Sequence, residues 1–167
     1  RRQAIDEAGV VHAYAEELAG EAMDGGPVML NWKDVSGAAD AAVTHGTNLV
    51  IHEFAHKLDM QDGAADGCPP LPWGFAGTTT AAAAKRHWLE VLHSAYASFH
   101  EAVIRHERFG EPAPWLDAYG AEAPAEFFAV ACEAYFVSRN RFAKEFPLLL
   151  GLFDAFFRPS GQQGIAS

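Results

Sequence analysis

The stretch Asn48-Leu49-Val50-Ile51-His52-Glu53-Phe54-Ala55-His56-Lys57-Leu58-Asp59 reads as a capped helix carrying two histidines one turn apart. Asn48, or Thr47 before it, can cap the first turn by accepting from its free N–H groups. Leu49-Val50-Ile51 is an apolar opening that calls for burial, and Asp62-Gly63 stops the run after Asp59. On a helix, residues i and i+4 differ by about 40° of rotation and one turn of rise. The His52 and His56 imidazoles therefore leave one face and can share a tetrahedral Zn²⁺ at about 2.0–2.1 Å. Glu53 stands beside them without facing the metal as a ligand, where a base must stand to take a proton from an attacking water. Two histidines and a glutamate on so apolar a helix are costly unless they serve a ligand. That favours a metal over a buried helix whose histidines merely hydrogen-bond.

A catalytic zinc needs a third protein ligand and an open position for water. Asp59, Glu122, Glu126, Glu133 and His87 carry suitable donors. Asp59 follows His56 too closely along the helix to complete the ligand set easily. It is well placed to accept a hydrogen bond from a ligand imidazole and so orient it. The segment Tyr119–Glu133 is the better source. Glu126 and Glu133 lie two turns apart on one face of a helix that carries Phe127, Phe128, Val130 and Tyr135. Carboxylates on such a face need a partner, which a metal or a ligand histidine supplies. Spacing leaves open which of the two touches zinc. His87, His93, His100 and His106 recur along the next helix at a spacing that drifts around it, so they read as ordinary surface or core histidines. His45, in the loop before the metal helix, is a candidate substrate contact.

Working outward, residues 4–22 read as a helix, broken by Gly25-Gly26-Pro27. Pro27–Trp32 reads as a short strand with proline at its start, and 33–46 as loop. Residues 62–80 form one long irregular loop, and 81–108 a long helix with Trp88, Leu92, Phe99 and Val103 at helical spacing. After the break at Pro112 and Pro114 come a helix from Pro124 to Ser138 and an apolar segment 142–157 interrupted by Pro147. The expected class is α+β, mainly helical, with a small sheet, and 1–167 forming a single domain.

Composition narrows the partners. The chain has 167 residues and a formal charge of -10, with 22 acids against 12 Lys and Arg. That balance speaks against nucleic acid and against an anionic membrane surface, both of which want a basic footprint. No apolar run approaches the ~20 residues of a membrane helix. Two cysteines, Cys68 and Cys132, make no disulfide framework and read as reduced thiols of a cytoplasmic protein. Arg1-Arg2-Gln3 begins without Met and reads as the start of an excised piece.

The string Asn48–Asp59, followed by Tyr119 and by Ala123-Pro124-Ala125-Glu126-Phe127-Phe128-Ala129-Val130, resembles the Mlc titration factor A family of bacterial metallopeptidases. Gly26-Pro27-Val28-Met29-Leu30-Asn31-Trp32 is similar to that family's segment upstream of the metal helix. The likeness covers most of residues 10–155, and a tyrosine seven residues before Glu-Phe-Phe is also similar to the catalytic domain of anthrax lethal factor. The resemblance implies a zincin-like domain of gluzincin type, one Zn²⁺ per chain, and a family N-terminal portion absent here. It implies Glu126 as the third ligand and Tyr119 as the group that stabilises the oxyanion. Glu133 then joins Asp59 as support behind the ligands. It further implies aminopeptidase activity on peptide substrates and binding of Mlc, a repressor of sugar-transport genes. The alternative is a protein-binding regulator with a vestigial zinc site. The intact Glu53 favours the enzyme, since a purely structural site has no use for a base.

Overall fold

The computed structural model describes residues 48–159 throughout and, before them, the backbone of four short strands. Strand β1 (Arg2–Ile5) pairs antiparallel with β2 (Val11–Tyr14), with Arg2 opposite Tyr14 and Ile5 opposite Val11. Strand β3 (Gly20–Ala22) pairs antiparallel with β4 (Val28–Leu30), with Gly20 opposite Leu30. Among the described residues the strands pair two by two. Where the sequence predicts a helix over 4–22, the described residues form the strands β1, β2 and β3. The few large apolar side chains of this stretch fit either period, and the β-branched pair Val10-Val11 after Gly9 favours extended chain. Within the Pro27–Trp32 stretch, Val28–Leu30 form β4. The loop expected over 33–46, and His45 within it, lies outside the described residues.

Helix α1 (Leu49–Asp59) begins where Asn48 Oδ1 accepts from the Ile51 N–H at 3.2 Å. A 3-10 turn at Met60–Asp62 tightens its end, and Gly63, at φ +85°, reverses the chain. The loop that follows is irregular apart from a 3-10 turn at Phe75–Gly77. Gly67 is its tightest point. A Cβ there would stand 2.6 Å from Leu92 Cδ2 and 2.9 Å from the Pro124 carbonyl oxygen, at a φ of +80° that already disfavours side chains. Trp88 Nε1–H donates to the Gly67 carbonyl at 2.7 Å and holds the loop against the core.

Helix α2 (Ala81–Phe109) is capped by Thr80 and ended by Gly110 at φ +67°. Helix α3 (Pro124–Val137) starts on proline, as read from the sequence. Every residue from Phe127 to Tyr135 is buried, so α3 is enclosed on all sides. The C-terminal apolar segment divides into α4 (Arg139–Glu145) and α5 (Pro147–Phe157), because Pro147 cannot continue a helix but can begin one. Phe142 and Phe153 meet Trp88, Phe128 and Tyr135 in one aromatic core. Full burial of each such ring stabilises by about 1.5–3 kcal/mol. Helix α1 packs along α3, and β3 and β4 lie against α1. Among the described residues no helix is long and apolar enough to cross a membrane.

Candidate metal centre

The packing of α1 on α3 brings the chemistry together. From α1, His52 Nε2 and His56 Nε2 stand 3.1 Å apart. From the first turn of α3, Glu126 Oε2 lies 3.1 Å from His56 Nε2 and 3.4 Å from His52 Nε2. A tetrahedral zinc with ligands at about 2.0–2.1 Å has ligand–ligand edges of about 3.3–3.4 Å. The three atoms therefore form a triangle of the right size, and His-His-carboxylate is the donor set of catalytic zinc. These residues fit a metal ion.

Glu133, two turns further along α3, works from behind. His52 Nδ1–H donates to Glu133 Oε1 at 2.8 Å, and the Asn48 backbone N–H donates to Glu133 Oε2. With Nδ1 carrying the proton, the lone pair of His52 Nε2 faces the triangle. One carboxylate thus orients the His52 ring and ties down the start of the helix that carries it. Spacing left Glu126 and Glu133 interchangeable; the structure brings Glu126 to both imidazole Nε2 atoms and Glu133 to the outer nitrogen. Burial pulls the His52 imidazolium pKa down. The Glu133 hydrogen bond, with the charges of Glu133, Glu126 and Glu53, outweighs that and leaves it raised.

Glu53 is buried beside the triangle, close enough for its charge to act on both His52 and Tyr119. Tyr119 sits in a 3-10 turn (Ala118–Ala121), its ring centroid 6.0 Å from that of His52 and its surface half exposed. Burial raises its phenol pKa, and the Glu126, Glu122 and Glu53 carboxylates raise it further, so the hydroxyl keeps its proton and can donate.

Asp59 was expected to accept from a ligand imidazole. It is fully buried, but its Oδ2 accepts from the Gly67 N–H at 2.9 Å, and its Oδ1 has no hydrogen-bond partner. Its physical role in this arrangement is to join the end of α1 to the loop beneath α2 and α3. Of the other ligand candidates, Glu122 lies in the wall of a groove beside Tyr119, and His87 is exposed on α2. Neither belongs to the triangle. The role of Gly67 is not legible in the sequence, because its positive φ leaves no signal beyond a glycine in a glycine-rich loop. Nor is the pairing of the Asn48 amide with Glu133. Both thiols are buried: burial pushes Cys68 up to about 12 and raises Cys132 well above the usual thiol range, so neither is a ready nucleophile.

A family model described as glucose-regulated metallo-peptidase M90 matches residues 1–158. The chain is 38% identical over 160 residues to a Salmonella gallinarum (strain 287/91 / NCTC 13346) protein named Mlc titration factor A, covering 95% of this chain and 54% of that one. It is 37% identical over 154 residues to the Serratia proteamaculans (strain 568) protein of the same name, covering 92% of this chain and 53% of that one. The chain spans about half the length of the curated relatives it matches.

Proposed function

The chain belongs to the glucose-regulated metallo-peptidase M90 family, and from that premise we propose that it is a catalytic domain hydrolysing peptide bonds with a zinc ion held by His52, His56 and Glu126. The observation that carries this reading is the triangle of donor atoms, with edges of 3.1, 3.1 and 3.4 Å. When bound, zinc supplies a Lewis acid that makes water nucleophilic near neutral pH. Glu53 takes the proton of the attacking water and passes it to the departing amine. The Tyr119 hydroxyl donates to the oxyanion that forms on the former carbonyl oxygen. Glu133 holds His52 in the tautomer the task needs. Asp59 acts one step further out, holding the end of α1 through Gly67. An extended peptide can add to the edge of β4 that β3 leaves unpaired among the described residues, since both strands lie against α1.

The aminopeptidase form of this activity is the finer version of the proposal, with the cytoplasm, where thiols stay reduced, as its compartment. A cleavage profile on peptides with free and acetylated N-termini, paired with metal content by mass spectrometry, tests both levels. One zinc per chain and peptide hydrolysis are expected. A zinc-loaded protein that cleaves none of the library would overturn the enzyme.

A second reading follows from the name of the relatives, Mlc titration factor A. On it, this chain binds a repressor of the Mlc type and its metal site is a vestige. The two are separable, because a Glu53→Gln protein keeps any binding surface. Repressor capture by that variant, with no peptidase activity in the wild type, would favour the second.

A further inference from the structure

Tyr119 has two sides. One faces His52. The other is a wall of an open groove of about 450 Å³ between α2 and the turn at 118–122. Small-ligand sites commonly measure about 300–1,000 Å³. The floor is apolar, made by Val103 and Ile104 of α2. The rim is acidic, with Glu107 of α2 on one side and Glu122 on the other, and His100 beside them packed against Tyr96 at 5.6 Å.

Among the described residues neither carboxylate has an ion-pair partner. Among the described residues, the ion pairs of Lys85, Arg105 and Arg139 go to Asp62, Asp66, Glu101 and Asp154, and leave both out. Glu122 is near enough to Tyr119 for its charge to raise the phenol pKa, so the negative potential of the rim extends to the edge of the metal centre. The net charge of -10 adds to the pull on a cation.

An apolar floor below an acidic rim is the complement of a long aliphatic stem with a cationic tip. A leucine would cover the floor and gain nothing from the exposed carboxylates, and an acidic side chain would meet like charge. We infer that this groove is a side-chain pocket of the peptidase and takes a lysine or arginine of the peptide next to the bond that is cut. The inference rests on the metallopeptidase reading for the position of that bond, while the preference for a cation rests on the pocket alone.

The test uses matched peptides that differ only in carrying lysine, norleucine or glutamate beside the scissile bond, on the zinc-loaded wild type and on the Glu107→Gln/Glu122→Gln protein. The wild type is expected to prefer lysine over norleucine. The double substitution is expected to lower that ratio of kcat/KM by up to roughly tenfold, the scale of two exposed ion pairs. Glu122→Lys should move the preference toward glutamate. Calorimetry with the zinc-loaded Glu53→Gln protein reads the same selectivity without turnover, as tighter binding of the lysyl than the norleucyl peptide. If the wild type cuts no peptide, the peptidase reading falls and calorimetry alone decides the pocket. If peptides are cut with no basic preference, or with one that the double substitution leaves intact, the pocket assignment is overturned and the peptidase stands. A preference that vanishes on acetylating the peptide α-amine would assign the charge to the chain terminus and overturn it too.

Discussion

Helix α3 serves two regions that obey different rules. Toward α1 it offers Glu126 and Glu133, each engaged through single atoms at 2.8–3.4 Å. Toward α2 and α5 it offers Phe128 and Tyr135 to a core where Trp88 alone meets Phe75, Phe128, Phe153 and Phe156. The core is non-directional: its stabilisation scales with buried area and spreads over many partners. The metal face is directional, and no neighbour can take over an atom's role. Damage to the first should lower stability and leave the chemistry of surviving molecules alone. Damage to the second should leave a folded protein without function.

The sharpest separation is expected at Glu53→Gln. That substitution should lower turnover by roughly 10²- to 10⁴-fold while zinc stays stoichiometric, since Glu53 stands outside the triangle of donor atoms. Wild-type turnover in a zinc-loaded Glu53→Gln protein would break the division between base and ligands. On the core side, Trp88→Ala should destabilise by about 3–5 kcal/mol, with the Gly67 carbonyl losing its donor as well. Denaturant melts read the loss, and zinc affinity measured well below the midpoint should not change. A shift in that affinity would mean that the two regions are coupled through the Gly67 loop.

Tyr119→Phe is expected to keep zinc and lower kcat by roughly 10²-fold, the effect of removing one oxyanion donor. An unchanged kcat would take Tyr119 out of the chemistry. The mildest expected loss is at Glu133→Gln, about 10- to 100-fold in zinc affinity. Glutamine can still meet the Asn48 N–H, so stability should fall less than in Trp88→Ala. If Glu126→Gln held zinc at wild-type affinity while Glu133→Gln did not, the roles of the two carboxylates would be exchanged.

What the sequence determined by itself was short-ranged. The Asn48 cap, the shared face of His52 and His56, the stop at Gly63, the Pro124 start of α3 and the Pro147 break are all interactions within a turn or two, so residue order specifies them. The division of labour between Glu126 and Glu133 was different. Both lie on one helix face, and which of them meets the imidazole Nε2 atoms depends on where α3 crosses α1, a quantity that neither helix contains. The same holds for Asp59, whose partner is an amide across a glycine-rich loop, and for Glu107 and Glu122, which share a rim only because the chain returns along α2. Residues 4–22 mark the other limit: their few large apolar side chains suit a helix or a strand, and the strands described there rest on pairing between segments. Local order can specify an element and its ends, but the atom that an element's side chain meets is decided by tertiary packing, because that contact joins positions far apart in the chain.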